Sequence, residues 1–256
     1  MTAESRIIRA IVVDDEGPAR ALLREYLSAH PDVEVVGECT NGFEAVKKIG
    51  ELAPDLLLLD VQMPKLDGFE VLELLDRQPV VIFVTAYDEY ALKAFEVHAV
   101  DYVLKPVGRE RLGGALDRAR ARLGAAAGAT ATPLASATAL AAAARPPGQF
   151  VERVLVKEGA NVHVIPVERL DWIEAQDDYV AIHSDGKTHL KTQTLADAAA
   201  GLDPSRFVRI HRSYVLNVER IARLELYAKD SRVAFLKDGK ELPVSRAGYT
   251  RLKELL

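Results

Sequence analysis

Asp55-Leu56-Leu57-Leu58-Leu59-Asp60-Val61-Gln62-Met63-Pro64 decides the fold of the first half of this 256-residue chain. A short unbroken apolar run that stops at a polar residue is the pattern of a strand buried on both faces. Three more runs share it. Ile11-Val12-Val13 ends in Asp14-Asp15, Val80-Val81-Ile82-Phe83-Val84 in Thr85-Ala86, and Tyr102-Val103-Leu104 in Lys105-Pro106. Four parallel strands of this kind deliver their C-terminal ends to one edge of an open α/β sheet, where ligands and chemistry sit. Three carboxylates, a hydroxyl and an ammonium are thereby directed at one place.

Working outward, strand-like runs at Ile7–Val13, Val33–Glu38, Asp55–Leu59, Val80–Thr85 and Asp101–Leu104 alternate with helical patterns. The helical segments are Pro18–Ala29, Gly42–Glu51, Gly68–Arg77, Glu89–Val97 and Arg109–Arg122. In the first, Ala19, Leu22, Leu23, Tyr26 and Leu27 recur at helical spacing, and Pro18 suits the first helical position. Five βα units predict a doubly wound five-stranded parallel sheet with helices on both faces. The following stretch, 124–149, is rich in Ala and Thr, lacks apolar periodicity and is broken by Pro133 and Pro146-Pro147, so it is expected to be a linker. Its uncharged part, Gly124 to Ala144, reaches membrane-spanning length but is too weakly apolar to hold a bilayer position.

Beyond residue 150 the period changes. Short strand-like runs at 154–156, 162–165, 170–174, 179–183 and 187–190 precede one helical patch at 195–202, and further runs lie at 207–210, 221–227, 232–236 and 240–244. Asp185-Gly186 and Asp238-Gly239 are turn signals. A last helix is expected from about Arg246. Many short strands with few helices predict a mostly-β sandwich or barrel. Charge divides the same way: residues 1–123 carry 15 Lys+Arg against 22 Asp+Glu, residues 145–256 carry 18 against 16. A single cysteine, Cys39, excludes an internal disulfide, and no basic-then-apolar segment opens the sequence, so the expected compartment is a reducing cytoplasm with no membrane association.

Carboxylates gathered at strand ends repel one another unless a hard cation joins them. Asp14, Asp15 and Asp60 offer the oxygen ligands that Mg²⁺ prefers. An Asp carboxylate can itself accept a phosphoryl group, Lys105 supplying a compact positive charge and Thr85 a hydrogen bond. An aspartate-nucleophile hydrolase is the competing phosphate-handling class, but it needs a general-acid Asp two residues after the nucleophile. Gln62 stands there, so turnover would lack its acid and no enzyme is expected.

Ile-Val-Val-Asp14-Asp15-Glu16, Leu-Leu-Asp60-Val-Gln-Met-Pro64-Lys-Leu-Asp67-Gly68, Val-Thr85-Ala86-Tyr and Asp101-Tyr102-Val-Leu-Lys105-Pro106 together resemble the signature of bacterial response-regulator receiver domains. The resemblance implies a flavodoxin-like fold over residues 7–123, with Asp60 accepting phosphate from a sensor histidine kinase. It further implies Mg²⁺ held by Asp15, Asp60 and the backbone carbonyl of Gln62 with Asp14 assisting. Thr85 and Lys105 would sense the phosphoryl group, Tyr102 would be the aromatic switch, and Lys105–Pro106 would be cis.

In the second half, the candidate polar contacts include Lys157, Gln176, Asp178, His211, Arg212, Ser213, Asn217 and Arg246, types that reach base edges or phosphates. The six histidines show no metal-ligand spacing, so no zinc site is expected. Ile173-Glu-Ala-Gln-Asp-Asp-Tyr179-Val, Phe207-Val-Arg-Ile-His211-Arg212-Ser213-Tyr214-Val-Leu-Asn217 and Leu242-Pro-Val-Ser245-Arg246 resemble the LytTR-type DNA-binding domain, over residues 150–256. That family inserts loops into successive major grooves, which here implies base-reaching loops at 176–178, 211–213 and 245–246. Arg212 and Arg246 are the expected readers or phosphate clamps, and Tyr214 is expected in the core. The implied partners are double-stranded DNA with direct-repeat sites and a second copy of the chain on activation; a β domain that binds protein or RNA is the alternative.

Overall fold

The computed structural model describes residues 7–88, 90, 94, 99–126, 150–159, 161–228 and 231–255. Apart from Tyr90 and Ala94, the expected helix Glu89–Val97 lies outside the described residues, as does the expected 124–149 linker from residue 127 onward. The chain divides into two compact units, Met1–Ala144 and Arg145–Leu256.

In the first unit the order is β1 (Ile8–Val13), α1 (Gly17–Leu27), β2 (Val33–Cys39), α2 (Gly42–Leu52), β3 (Leu56–Leu59), α3 (Gly68–Glu73), β4 (Val80–Thr85), β5 (Asp101–Leu104) and α4 (Arg109–Ala126). The strands form one parallel sheet in the order β2-β1-β3-β4-β5. All four leucines of β3 are fully buried. Each such side chain contributes about 1.5–3 kcal/mol by leaving water, which is why this strand sits at the centre of the sheet. Leu56 and Leu58 pack with Leu23 and Leu27 of α1 and Leu112 and Leu116 of α4. Toward α3, Phe83 meets Phe69 with ring centroids 4.9 Å apart. α3 ends at Glu73, four residues before the expected Arg77. Its last amides turn to three-residue bonds, Leu74 N–H to the Val71 carbonyl at 3.1 Å and Leu75 N–H to Leu72 at 3.3 Å, and Pro79 disfavours helical geometry at the residue before it.

The second unit comprises β6 (Arg153–Glu158), β7 (Asn161–Pro166), β8 (Leu170–Gln176), β9 (Tyr179–Ser184), β10 (Lys187–Lys191), α5 (Leu195–Ala200), β11 (Phe207–His211), β12 (Tyr214–Asn217), β13 (Ile221–Ala228), β14 (Ser231–Leu236), β15 (Glu241–Val244) and α6 (Arg246–Lys253). A five-stranded sheet of order β10-β9-β8-β12-β11 is accompanied by β13-β14-β15 and by the β6–β7 hairpin. Successive residues of the central strands enter opposite cores. Ile173, Val180, Ile182 and Val215 pack with Val156 and Ile165 of the hairpin and Leu195 of α5. Trp172, Val208, Ile210 and Leu216 pack with Leu236, Leu242, Val244 and Leu252. The central sheet is thus covered on both faces, in layers, and the described strands close no barrel. β12 is a strand the sequence pattern did not announce.

Candidate functional site

The C-terminal ends of β1, β3, β4 and β5 deliver Asp14, Asp60, Thr85 and Lys105 to one edge. Lys105 Nζ lies 2.8 Å from Asp14 Oδ2, 2.8 Å from Asp60 Oδ2 and 3.3 Å from Glu16 Oε2. Asp14 and Asp60 are buried, whereas Asp15 is exposed. Carboxylate oxygens of Asp14, Asp15 and Asp60 all lie within 4.8 Å of one another. Burial raises the Asp14 pKa; hydrogen bonds from Lys105 and the Glu16 N–H offset part of this, and the Asp60 charge adds to it. Burial alone would lower Lys105, but its bonds to Asp14 and Asp60 prevail and its pKa is raised, so it remains an ammonium. Three carboxylates therefore meet Lys105, Asp15 lies near two of them, and the all-oxygen set of Asp14, Asp15 and Asp60 fits a hard divalent ion such as Mg²⁺.

Thr85 is fully buried and its Oγ1 has no hydrogen-bond partner among the described residues. A buried unpaired hydroxyl costs roughly 1–3 kcal/mol, an arrangement that fits an anion arriving from outside. Tyr102 lies beside Phe83 in the β4–β5 register, with ring centroids 6.2 Å apart, and its hydroxyl donates to the Tyr87 carbonyl. Gln62 is exposed in the loop after β3. Its backbone N–H donates to Asp60 Oδ1 at 3.3 Å and its side chain to the Tyr90 hydroxyl at 3.2 Å. The Lys105–Pro106 bond is cis.

In the second unit three loops meet at one end of the five-stranded sheet. Ala175 N–H donates to the Ser213 carbonyl at 2.9 Å, bringing 176–178 against 211–213. Ser245 N–H donates to the Ile210 carbonyl at 2.9 Å, bringing 245–246 alongside. Gln176, Asp178, Arg212 and Arg246 are exposed there. The Arg212 carbonyl accepts from Arg209 Nη2 at 2.8 Å, and the Arg209 carbonyl accepts from Arg251 at 2.6 Å, which fixes the loop from behind. His211 is half-buried, its Nδ1 accepting from the Ser213 N–H at 3.2 Å. Lys157 stands apart from these loops on β6, in the separate hairpin.

Two candidates change role. Asn217 is fully buried, donating to the Leu170 carbonyl at 2.9 Å and accepting from the Glu219 N–H, so it is a structural polar residue rather than a contact. Ser245 caps α6: its hydroxyl donates to the Ile210 carbonyl and accepts from the Gly248 N–H. Tyr214 is half-buried against Trp172, ring centroids 5.9 Å apart, with its hydroxyl on Glu174 at 2.8 Å.

Residues 10–117 match the response regulator receiver domain and residues 160–256 the LytTR DNA-binding domain. A response regulatory protein of Yersinia pestis is 34% identical over 256 residues, covering 98% of this chain and 99% of its own. This chain belongs to the response regulators that join a receiver domain to a LytTR DNA-binding domain. The transcriptional regulatory protein BtsR of Escherichia coli is 32% identical over 257 residues, covering 98% of this chain and 99% of its own. The solved response regulatory domain of protein mrkE from Klebsiella pneumoniae is 30% identical, covers 45% of this chain and 97% of its own, and superposes with a TM-score of 0.42.

A response regulator of this composition is a transcriptional regulator, a non-enzymatic kind of protein. Among its described residues no helix is long and apolar enough to cross a membrane. Two site residues escaped the reading of individual side chains. Glu16 completes the carboxylate group around Lys105, and its signal was its position after Asp14-Asp15. Gly68 starts α3 directly on the site: a Cβ there would meet the Asp60 carbonyl at 2.4 Å.

Proposed function

We propose that this response regulator accepts a phosphoryl group on Asp60 from a sensor histidine kinase and thereby controls dimerisation and sequence-specific DNA binding. Residues 7–123 act as the receiver, 124–149 as the connector and 150–256 as the output domain. The observation that supports it most is the pairing of buried Asp60 with Lys105, together with the buried Thr85 hydroxyl that has no partner among the described residues. In this reading the Asp60 carboxylate oxygen attacks phosphorus, and the phosphorus–nitrogen bond to the donor imidazole breaks as the new phosphorus–oxygen bond forms. Asp14, Asp15, Asp60 and the Gln62 carbonyl would hold Mg²⁺, which when bound offsets the phosphoryl charge. Lys105 offers its ammonium to the phosphoryl oxygens and Thr85 donates its hydroxyl to them. Turning Thr85 toward the phosphate frees space on the β5 side. Tyr102 then leaves the Tyr87 carbonyl and turns inward, so that the added charge biases a two-state face.

That face includes the half-exposed Leu104 and a cleft of about 360 Å³ lined by Tyr102, Leu104 and Arg111, a surface suited to a second receiver. Two output domains would then engage a direct repeat through loops 176–178, 211–213 and 245–246. Arg212 and Arg246 serve as readers or phosphate clamps, with Gln176, Asp178, His211, Ser213 and Lys157 as the remaining contacts. Burial pushes the Cys39 thiol up to about 12, which suits a structural thiol in a reducing cytoplasm. The test combines phosphate incorporation with gel shifts on a promoter library at two salt concentrations. Phosphorylation should tighten a DNA complex that weakens steeply with salt. Retention of protein or RNA, with no DNA complex at low salt, would replace the DNA reading.

A further inference from the structure

A second group of metal-ligating side chains lies far from the receiver chemistry in sequence. Glu158 ends β6, His163 lies on β7 and His189 on β10. Glu158 Oε2 is 3.2 Å from His163 Nε2, and Glu158 Oε1 is 3.0 Å from His189 Nδ1. The two imidazole rings lie 4.8 Å apart, tilted by 40°. Strand register explains the first pair: His163 is opposite Val156, so Glu158 is its diagonal neighbour on the same face of the hairpin. His189 comes from the edge strand of the five-stranded sheet. The three residues therefore tie two sheets together.

The geometry points to a binding site for a borderline divalent transition metal ion, Zn²⁺ being the probe of choice, formed by Glu158, His163 and His189. Two imidazoles and a carboxylate are the donor set that suits Zn²⁺, Ni²⁺ or Cu²⁺, whereas Mg²⁺ prefers all-oxygen sites such as the receiver cluster. Bonds of about 2.0–2.1 Å in a tetrahedral arrangement separate ligand atoms by roughly 3.3 Å. Glu158 turns one oxygen to each imidazole, at 3.2 Å (Oε2 to His163) and 3.0 Å (Oε1 to His189), each near that value, and one donor atom from each of the three residues lies within 4.8 Å of the other two. The side chains remain reachable, with 45% of Glu158, 40% of His163 and 13% of His189 exposed. A cleft of about 260 Å³ bordered by both histidines provides an entry path; of the cations beside it, Arg169 lies 3.6 Å from Asp185. A bound ion would leave one position to water and clamp the β6–β7 hairpin onto β10, stabilising the folded output unit by mass action.

The test uses the full chain in excess Mg²⁺, added to compete Zn²⁺ away from the carboxylate cluster, titrated calorimetrically with Zn²⁺ and by visible absorption with Co²⁺. A saturable Zn²⁺ site is expected, weakened at least tenfold by His163→Ala, His189→Ala or Glu158→Gln. Visible Co²⁺ bands should appear and be lost in His163→Ala. The unfolding midpoint followed by Trp172 fluorescence should rise with Zn²⁺ in the parent chain and not in His163→Ala. The His163 side chain is 40% exposed, so its variant should retain the native circular dichroism spectrum and unchanged phosphate incorporation at Asp60. Equal Zn²⁺ affinity in the parent and in natively folded His163→Ala would overturn the proposal, as would the absence of saturable binding in the folded parent chain.

Discussion

The receiver site and the three-loop end of the output unit are both built at strand termini, yet they hold their polar groups in opposite ways. At the receiver site Asp14, Asp60 and Thr85 are buried: the two carboxylates share Lys105, and Thr85 has no partner within the described chain. At the output end the backbone is bonded and the side chains face water: Arg209 and Arg251 hold carbonyls, while Arg212 and Arg246 are exposed. A buried charged cluster is a site for one small ligand because each group is already committed to a direction. An exposed arginine set on a rigid loop suits a large polyanion, whose contacts are shared among many groups.

This contrast can be broken most decisively at Asp60. Asp60→Asn should abolish phosphate incorporation from acetyl phosphate or a kinase, whereas Arg212→Ala should leave it intact; incorporation by the Asn variant would remove the receiver half of the comparison. The next largest effect concerns the supports behind each site. A Cβ at Gly248 would lie 1.9 Å from the Ile210 carbonyl oxygen, and one at Gly68 2.4 Å from that of Asp60. Both obstacles are backbone and cannot swing away, so each Gly→Ala change should cost about 1–3 kcal/mol or more. Trp172, the only tryptophan, sits in the output core. Its fluorescence should register Gly248→Ala, and circular dichroism should register Gly68→Ala; an unshifted unfolding midpoint in either variant would deny that clash.

Arg212→Ala and Arg246→Ala should each weaken DNA binding by about 1–3 kcal/mol, and a phosphate clamp, unlike a base reader, should also flatten the salt dependence. Gel shifts at several salt concentrations distinguish the two, and unchanged affinity in both variants would end the loop assignment. The smallest effect is a difference in acid response. Burial lowers the His183 pKa below its ordinary 6.5, opposed by Glu174 and Asp238 and assisted by Lys240. The unfolded chain then binds the proton first, and output stability should decline as pH falls below 6.5. In the receiver, bonds from Lys48 and the Thr40 N–H hold Glu44 down to about 2, so its contribution is complete above 4.5 and lost between 4.5 and about 2. Urea titrations read by Trp172 fluorescence for the output unit, and by circular dichroism for the receiver, should show the earlier decline only in the former. His183→Gln should remove it.

Much of the receiver was legible because its strands announce themselves. Leu56–Leu59 and Val81–Val84 are buried on both faces, and each ends at a residue whose type matches its chemistry. The output unit was harder to read. β12, Tyr214–Asn217, follows β11 across Arg212-Ser213, a two-residue turn without the Gly, Asn or Asp that marks most hairpins. Its apolar residues serve two cores at once, so they show no alternation. Asn217 read as a contact residue because polarity is visible in a sequence while burial is not.

By itself, the sequence determined the two-part division, the parallel order of apolar runs and the residue types at their ends, since these follow from local period and composition. Only the tertiary structure decided which polar residues meet. Lys105 reaches Asp14 across 91 positions, Ser245 reaches Ile210 across 35, and Glu158 reaches His189 across 31. No local pattern encodes those distances. They are set when sheets and helices bury their apolar faces and carry the polar ends along.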